Sequence, residues 1–348
     1  MAALKVLQIG AGSMGKRRLR DLAGRSGVEL GLWDPRDDRR DEVRSRFCPT
    51  VFPTLDEAIA WKPQALVIST PPDQHAPYIE LALEHGWHHF SEANIWTYDP
   101  AKVEEASRPR GLVSAVSNSL AFLPVIKELK RVVREELGTV HAYQAALSTW
   151  MPGWHTAEGT EFYARNRATS AGREMVPFEL LWLNEVFGPP VEACGAVSER
   201  GALGAASEDT WSLVMRLQSG AHAELLVLMA CPTQYRRGQA WGDAGQVAFD
   251  LPGGILERNL PGRGLVDRRS FGSFAEVLEP AYRDEIFAFI DAVEGRAAWP
   301  QPYSASGVAT ATLAAAERSA TSGRWEPVDM ARQPELLPSG RGEVMRPR

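Results

Sequence analysis

The stretch 4-LKVLQIGAGSMG-15 joins a short apolar run to a segment in which three glycines follow the GxGxxG spacing. Glycine lets the backbone turn tightly and approach a pyrophosphate, which then rests at the N-terminus of the helix that follows. The stretch therefore predicts a strand, a dinucleotide-binding turn and the start of a helix. The residues expected to contact the cofactor here are Gly10, Gly12, Ser13, Met14 and Gly15.

Further apolar runs alternate with helix-like segments through the first third of the chain. These runs are 28-VELGLWD-34, 64-QALVIST-70, 87-WHHFSEA-93 and 112-LVSAVSNS-119. The second of them is apolar almost throughout, as expected for a strand that is buried on both faces. The short connections favour a parallel sheet with helices on both faces. This is the doubly wound α/β architecture of a Rossmann domain.

The pattern changes in the rest of the chain. A predicted helix, 122-FLPVIKELKRVVREELG-138, is followed by several strand-like runs in succession. These runs are 139-TVHAYQAALSTW-150, 211-WSLVMRLQ-218, 221-AHAELLVLMA-230 and 246-QVAFDL-251. Successive strands with helices gathered elsewhere predict an α+β domain with a largely antiparallel, open sheet. We therefore expect a nucleotide-binding domain over 1–121, a second domain over 122–330, and a polar, mobile tail over 331–348.

Composition and charge narrow the range of functions. The chain has 348 residues, is 44% hydrophobic and carries a formal net charge of −6, which argues against nucleic acid or an anionic membrane as the main partner. The cysteines are far apart and no pair of histidines has metal-ligand spacing, so neither a disulfide framework nor a metal site is predicted. No stretch is apolar over the length of a membrane span, and the start lacks a signal-peptide pattern. We expect a cytoplasmic protein with a small-molecule substrate.

Asp34 ends the second predicted strand, about 20 residues beyond the glycine segment. A carboxylate at this place accepts hydrogen bonds from the adenosine ribose hydroxyls. Because it also repels a 2′-phosphate, NAD is expected in preference to NADP. Arg36 and Arg39 weaken this preference, although a solvated helix start describes Arg36 at least as well.

Several segments together resemble the glucose-fructose oxidoreductase/inositol dehydrogenase (Gfo/Idh/MocA) family of sugar and cyclitol oxidoreductases. The segments that carry the resemblance are 10-GAGSMG-15, 69-STPPDQHAPYIELALEHG-86, Glu92, 282-YRDEIFAFIDAVEG-295 and 299-WPQPYSASGVATATLAAAERSATSGRW-325. The resemblance thus covers nearly the whole chain. It implies an NAD(P)-binding Rossmann domain followed by a substrate-binding domain.

The resemblance also implies further cofactor contacts. It places Thr70 and Pro71 along the nicotinamide, with His75 close by. It stacks Arg39 on the adenine and assigns Glu92 to the cofactor site. His75 has a structural interpretation as well, as a residue at a helix start that binds the backbone of a loop.

The chain departs from the family where the resemblance implies the proton-transfer residues. A Glu-Lys-Pro triplet is common after the fourth strand of the family's first domain, but this chain reads Glu92-Ala93-Asn94. Glu92 is retained, but Ala93 replaces the lysine and Asn94 replaces the proline. Asn94 is expected to face the substrate.

A second departure lies within 171-AGREMVPFELLWLNEVFG-188. The resemblance implies an Asp and a His on a helix of the second domain, and two registers are open for them. In this chain the position of the family's Asp is occupied by Met175 or Val176, and the position of its His by Glu179 or Leu180. In either register both family residues are missing, so the usual acid/base set is absent.

The residues of this segment suggest what replaces the missing set. Pro177 suits the first turn of a helix, so a helix is predicted to begin near it. Glu179 and Trp182 then share one face, where they are expected to meet the substrate. As alternatives, Glu179 is buried with a partner or satisfies first-turn amides. Arg173 and Glu174 are predicted to precede the helix and to form an ion pair or to bind a substrate carboxylate or phosphate.

The segment 150-WMPGWHTAEGTEFYARNR-167 is predicted to be a long aromatic loop. Aromatic faces stack on the C–H surfaces of sugars, so Trp154 is expected to bind the substrate. His155 and Tyr163 are the residues of this loop that can transfer a proton. We therefore predict a relocated catalytic set of Tyr163 and His155, assisted by Glu179. A packed tyrosine ring and a surface histidine are the alternatives.

One basic segment, Tyr235-Arg236-Arg237, follows a predicted strand. A solvated loop is the expected structure for it. Contact with a substrate phosphate is the alternative.

Three functions remain open. We expect an NAD(H)-dependent oxidoreductase that acts on a carbinol or ketone of a sugar, a sugar derivative or a cyclitol. The alternatives are an NAD-retaining lyase, isomerase or glycoside-cleaving enzyme that oxidises its substrate transiently, and a non-catalytic nucleotide-binding homologue. Since an exposed sheet face usually needs covering, a homodimer or homotetramer through the open face of the second sheet is also expected.

Overall fold

The computed structural model describes residues 3–47, 50–93, 99–154, 167–200 and 208–334. Within these residues the chain divides into two compact units. Unit 1 contains the chain up to Ser117 together with Tyr282–Ser304, and unit 2 contains Asn118–Ala281 together with the chain from Ala305 on. His155, Tyr163 and Asn94, which the sequence assigns to the site, lie outside the described residues.

The helices and strands of the described residues are numbered in chain order. The helices are Ser13–Ala23 (α1), Asp37–Arg44 (α2), Leu55–Ala60 (α3), His75–His85 (α4), Pro100–Ser107 (α5), Pro124–Glu135 (α6), Ala171–Phe187 (α7), Phe274–Val293 (α8) and Ser304–Ser322 (α9). The strands of unit 1 are Leu4–Ile9 (β1), Val28–Trp33 (β2), Thr50–Val51 (β3), Ala65–Ile68 (β4), His88–Ser91 (β5) and Ser114–Val116 (β6). The other strands are Val140–Trp150 (β7), Pro190–Ser198 (β8), Thr210–Leu217 (β9), His222–Leu228 (β10), Ala230–Gly242 (β11), Gly245–Asp250 (β12), Ile255–Leu260 (β13), Leu265–Ser270 (β14) and Glu326–Pro327 (β15). None of the described helices is long and apolar enough to cross a membrane.

Unit 1 is built on a parallel sheet with the strand order β3-β2-β1-β4-β5-β6. All four residues of β4 are buried, which confirms the prediction that this apolar run is covered on both faces. Leu19 of α1 and Phe289 of α8 belong to one of the two apolar clusters of the unit, and Ile79 of α4 belongs to the other. The predicted doubly wound α/β architecture is therefore confirmed.

Part of α8 belongs to unit 1, although the sequence-based division places it in the second domain. From Tyr282 onward this helix contributes Ile286, Phe289 and Ile290 to the same apolar cluster as the strands β1 and β2. The three side chains lie at helical spacing on one face of α8, so the helix can bury all of them at once. This helix therefore completes the core of the nucleotide-binding unit.

Unit 2 is built on a sheet with the order β14-β13-β12-β11-β7-β10-β9-β8-β15. Neighbouring strands are antiparallel except for the pair β7 and β10, which are parallel. Along β9 the buried residues alternate with exposed ones, as they do in a strand with one covered face. The predicted α+β class with a largely antiparallel sheet is confirmed.

The other face of this sheet carries a shallow depression of about 790 Å³. Among the residues that line it, Val214 and Tyr235 are exposed. Charged side chains of both signs, such as Glu224 and Arg268, line it as well. A homodimer or homotetramer through this face stays a prediction from the sequence.

The start of α7 corrects the sequence-based expectation. The helix begins at Ala171, and Pro177 lies inside it instead of in its first turn. Ser170 is the N-cap, and its hydroxyl accepts a hydrogen bond from the Arg173 amide. A serine cap satisfies one of the otherwise free amides of the first turn, which favours a start ahead of the proline. Arg173 and Glu174 are consequently helical residues and do not precede the helix.

Candidate cofactor site and buried polar clusters

The glycine turn leaves no room for side chains at two of its positions. Gly10 has a φ of +88°, and a β-carbon added to it would lie 2.7 Å from the carbonyl oxygen of Ser69. A β-carbon on Gly15 would lie 2.0 Å from the carbonyl oxygen of Gly10. Beneath the turn, the buried amide of Gln8 donates hydrogen bonds to the carbonyl oxygens of Ile9 and Gly10. The turn is thus held in a tight shape directly before α1, and the N-terminus of a helix is where a pyrophosphate binds.

Asp34 ties the glycine turn to the end of β2. Its carboxylate is 2% exposed and accepts hydrogen bonds from the amides of Ala11, at 2.6 Å, and Arg36, at 2.8 Å. Each carboxylate oxygen can accept more than one hydrogen bond, so these amides do not prevent Asp34 from binding ribose hydroxyls. Arg39 reaches within 3.9 Å of the same carboxylate and lies beside Gly12.

The alternative interpretation of Arg36, as part of a solvated helix start, agrees with its surroundings. Its guanidinium pairs with the exposed carboxylate of Asp38, and its own side chain is 56% exposed. Of Arg36 and Arg39, it is Arg39 whose guanidinium lies near the Asp34 carboxylate and the glycine turn.

The end of β4 supplies buried polar atoms beside the glycine turn. His75 is 1% exposed, and its Nε2 lies 3.0 Å from the carbonyl oxygen of Thr70. Burial lowers the pKa of His75 to about 4, so the ring is neutral at physiological pH. Its Nδ1 and the hydroxyl of Thr70 are buried without a hydrogen-bond partner among the described residues. Such orphaned atoms fit a site that binds a polar ligand, as expected for the nicotinamide end of NAD.

Arg18, which the sequence-based reasoning missed, connects several parts of unit 1. Its side chain is fully buried, and it forms two hydrogen bonds with Glu92, of 2.9 and 3.1 Å. It also donates to Glu285 on α8, at 2.7 Å, and to the hydroxyl of Ser117. Burial alone lowers the pKa of Arg18, but the charges of Glu92 and Glu285 raise it well above its ordinary value. We call Arg18, Glu92, Glu285 and Ser117 the Arg18 cluster.

The Arg18 cluster gives the retained Glu92 a definite environment. The hydroxyl of Ser69, at the end of β4, donates a further hydrogen bond to this carboxylate. Next to it, Ala93 is only 8% exposed. The cluster therefore holds Glu92, just after β5, against α1. A sequence signal for Arg18 exists in retrospect, because it shares the apolar face of α1 with Leu22.

In unit 2, Glu179 is buried with partners. It is 2% exposed, and its two oxygens accept hydrogen bonds from the Trp182 indole, at 3.0 Å, and from the Arg236 guanidinium. This agrees with the alternative of a buried, paired acid, and the start of α7 at Ala171 excludes the alternative of a first-turn glutamate. Since donors occupy both oxygens, these contacts do not favour Glu179 as the residue that takes a proton.

Two residues that were expected to bind substrate, Trp182 and Arg173, are buried in contacts within unit 2. Trp182 is 1% exposed, and its ring meets Phe249 edge to face at 5.4 Å, so it belongs to the interior of unit 2. Arg173 is 3% exposed and makes a two-point ion pair with Glu317. Its predicted ion pair thus exists with a different acid from Glu174. A buried guanidinium needs a carboxylate that approaches in its own plane, and α9 provides it.

Three other residues singled out in the sequence, Glu174, Trp154 and Arg236, lie in unit 2. Glu174 is in the first turn of α7 and is partly exposed. Trp154 is partly buried, and its amide donates to the carbonyl oxygen of Met151. Arg236 lies inside β11 and not in the solvated loop that its sequence suggested. The described part of the chain contains no group of three or more metal-ligating side chains.

Comparison with protein families identifies the class. Residues 4–108 match the model of the GFO/IDH/MocA oxidoreductase family, NAD-binding Rossmann fold, and residues 126–248 match the GFO/IDH/MocA C-terminal domain. Together the two matches cover more than half of the chain. The chain therefore belongs to the GFO/IDH/MocA family of NAD-binding oxidoreductases, and its cofactor is NAD.

Solved structures agree with this fold. GenD2 from gentamicin A biosynthesis, in complex with NAD, is 23% identical with a TM-score of 0.76, over 94% of this chain and 97% of that one. A putative myo-inositol dehydrogenase from Sinorhizobium meliloti 1021 is 20% identical with a TM-score of 0.75, over 94% and 100%. The WlbA dehydrogenase from Bordetella pertussis, in complex with NADH and UDP-GlcNAcA, is 17% identical with a TM-score of 0.75, over 94% and 98%. Comparison with curated proteins finds no match.

Replacement of Arg18 by Met is expected to destabilise the protein strongly. It leaves the buried carboxylate of Glu285 and the partly buried carboxylate of Glu92 without their cation, and breaking a buried ion pair typically costs about 3–5 kcal/mol. Urea unfolding measures the loss. Lys16→Met is the matched control on the same helix, since the exposed pair of Lys16 with Glu42 contributes at most about 1 kcal/mol. Similar small losses for both variants would show that the Arg18 cluster does not hold unit 1 together.

Replacement of Asp34 by Ala is expected to weaken NAD binding by roughly 1–2 kcal/mol, the scale of hydrogen bonds lost from a charged group. Titration of the wild type should also show tighter binding of NAD(H) than of NADP(H). Asp38→Ala serves as the control, because Asp38 is exposed and its ion pair is with the exposed Arg36. Tighter NADP(H) binding by the wild type would mean that Arg39 outweighs the carboxylate.

Proposed function

We propose that this protein is an NAD(H)-dependent oxidoreductase that interconverts a carbinol and a ketone on a sugar, a sugar derivative or a cyclitol. The observation that carries the proposal is the complete cofactor-binding arrangement of glycine turn, Asp34 and orphaned polar atoms of Thr70 and His75 within a family of oxidoreductases. Similar folds include a putative myo-inositol dehydrogenase and a dehydrogenase in complex with UDP-GlcNAcA. Both support a sugar-like substrate.

The chain's own residues have separate tasks in this reaction. NAD, when bound, accepts or returns the hydride. The glycine turn binds its pyrophosphate, and Asp34 binds the adenosine ribose. The Arg18 cluster keeps Glu92 and Ala93 in place next to the cofactor loops. A further group must take or return the proton of the substrate hydroxyl.

We assign this proton transfer to Tyr163 or His155, as the sequence predicts. Ala93 carries no proton, and both oxygens of Glu179 already accept hydrogen bonds. Glu179 therefore assists by holding Arg236 and not by exchanging a proton itself. Both candidates belong to the aromatic segment that begins with Trp150.

The absorbance of the cofactor tests the function. Purified protein is mixed with NAD and a panel of neutral sugars, sugar acids and cyclitols, and the absorbance of NADH is followed. Net reduction of exchangeable NAD by at least one compound is the expected result. Product formation with tightly retained cofactor and no net reduction would favour a lyase, an isomerase or a glycoside-cleaving enzyme. No cofactor binding would point to a non-catalytic homologue.

Restoring the family's lysine is expected to lower turnover. Ala93 is 8% exposed, so a lysine at this position must bring a charge into a largely desolvated place, which is costly. No Asp or His of the usual relay is present on α7 to orient it. Steady-state rates of Ala93→Lys and wild type give the comparison, and a faster Ala93→Lys enzyme would show that the lysine's role was simply lost.

The same rates identify the relocated proton donor. Tyr163→Phe or His155→Ala should reduce the chemical rate by about 100-fold or more, the scale of a lost general acid or base, with NAD affinity nearly unchanged. Tyr235→Phe and His141→Ala are matched controls at exposed places of unit 2. Near-native rates for both candidate variants would rule out the relocation.

A further inference from the structure

Arg236 of β11 contacts helix α7 of unit 2. Its neighbours Tyr235 and Arg237 are exposed at 39% and 52%, whereas the Arg236 side chain is 12% exposed and meets α7. Just before it, residues 231–234 interrupt the regular pairing of β11 with β7. From Tyr235 on the pairing is regular, with Arg236 opposite Leu147. Because successive side chains of a strand point to opposite faces, Arg236 lies on the face opposite to Tyr235 and Arg237.

Contacts fix the Arg236 guanidinium from several sides. Nη2 donates to Glu179, whose other oxygen is held by the Trp182 indole at 3.0 Å. The rings of Phe178 and Phe274 lie 5.9 and 5.7 Å from the guanidinium carbon. A planar cation between a fixed carboxylate and aromatic rings loses little freedom when it binds a ligand, which favours recognition.

One donor of this guanidinium lacks an acceptor among the described residues. Arginine carries five N–H donors, and the Nε of Arg236 is buried without a hydrogen-bond partner among the described residues. A buried donor without an acceptor is unfavourable. A ligand oxygen next to Nε would supply the missing hydrogen-bond acceptor.

The charges of Arg236 and Glu179 indicate whether the ligand oxygen is charged or uncharged. Arg236 and Glu179 neutralise each other, and within the described residues Glu179 receives hydrogen bonds only from Trp182 and Arg236. A substrate carboxylate or phosphate would place a second negative group beside Glu179 in a poorly solvated place. Arg18 also binds two carboxylates, but there the hydroxyls of Ser69 and Ser117 stabilise these carboxylates by donating further hydrogen bonds to them. An uncharged hydroxyl or carbonyl oxygen accepts the N–H without this repulsion.

We propose that Arg236 is a substrate-binding residue that donates a hydrogen bond to an uncharged oxygen. Glu179 sets the preference for an uncharged oxygen because it neutralises the charge of Arg236. This assignment rests on the proposed sugar oxidoreductase function and narrows it to neutral sugars or cyclitols. Arg236 contacts the substrate, and Glu179 is a positioning residue that acts through Arg236.

Two probes that differ in one charged group test the assignment. D-glucose and D-glucuronate are titrated into the protein in the presence of NADH, and their affinities are measured calorimetrically. The wild type is expected to bind glucose more tightly. Glu179→Gln should shift the affinity ratio toward glucuronate by about tenfold or more, because the guanidinium keeps its charge and loses its neutralising partner.

Arg236→Met should weaken glucose binding by about tenfold, the scale of one lost hydrogen bond to a charged group. NADH affinity should stay within about twofold, since the contacts of Arg236 described above are with residues of unit 2. Arg237→Met, on the opposite face of the same strand, is the control and should change neither sugar affinity. Should Arg236→Met fail to fold, Arg236→Lys keeps the charge but removes the planar fork, and it too should bind glucose more weakly.

The outcomes separate this assignment from the function it rests on. Unchanged glucose binding by the Arg236 variants, or an unchanged affinity ratio in Glu179→Gln, overturns the assignment while leaving the sugar function intact. Tighter glucuronate binding by the wild type overturns it as well. If neither sugar binds and no compound of the panel reduces NAD, the sugar function fails, and the assignment fails with it.

Discussion

The buried guanidinium of Arg18 is the contact on which the nucleotide-binding unit depends most. It joins α1, the ends of β5 and β6, and α8 through hydrogen bonds to Glu92, Ser117 and Glu285. Removing a charge from water is expensive, so such a cluster is tolerated only when every member is paired and hydrogen-bonded. That condition specifies the relative positions of these elements more sharply than apolar packing, which is not directional.

This constraint also bears on the chemistry. Because Glu92 is bound to Arg18 and to the hydroxyl of Ser69, the backbone at Ala93 is held at the same edge of the sheet as the glycine turn and Thr70. Glu92 therefore has a structural role in the fold that does not require a lysine at the next position. Retention of Glu92 and loss of the lysine are then compatible.

Unit 2 contains a second buried pair that differs in one respect. In the Arg18 cluster the guanidinium binds carboxylates, a hydroxyl and a backbone carbonyl, whereas Arg236 has a donor for which the described part of the chain offers no acceptor. Arg173 resembles Arg18, since Glu317 and the carbonyl of Ala168 occupy its donors. Among these three arginines, incomplete pairing distinguishes the partly exposed Arg236, which we assign to a ligand, from the buried Arg18 and Arg173, which hold the fold together.

The sequence by itself determined the fold class, the family and the cofactor, because these depend on local signals. Strand periodicity, the glycine spacing and the position of Asp34 are each contained within a few dozen residues. The tertiary structure decided the partners of the buried charges. Glu179 and Arg236 are 57 residues apart, and Arg18 and Glu285 are 267 apart. No local pattern encodes which of many carboxylates a guanidinium will meet, since that choice depends on how sheets and helices pack.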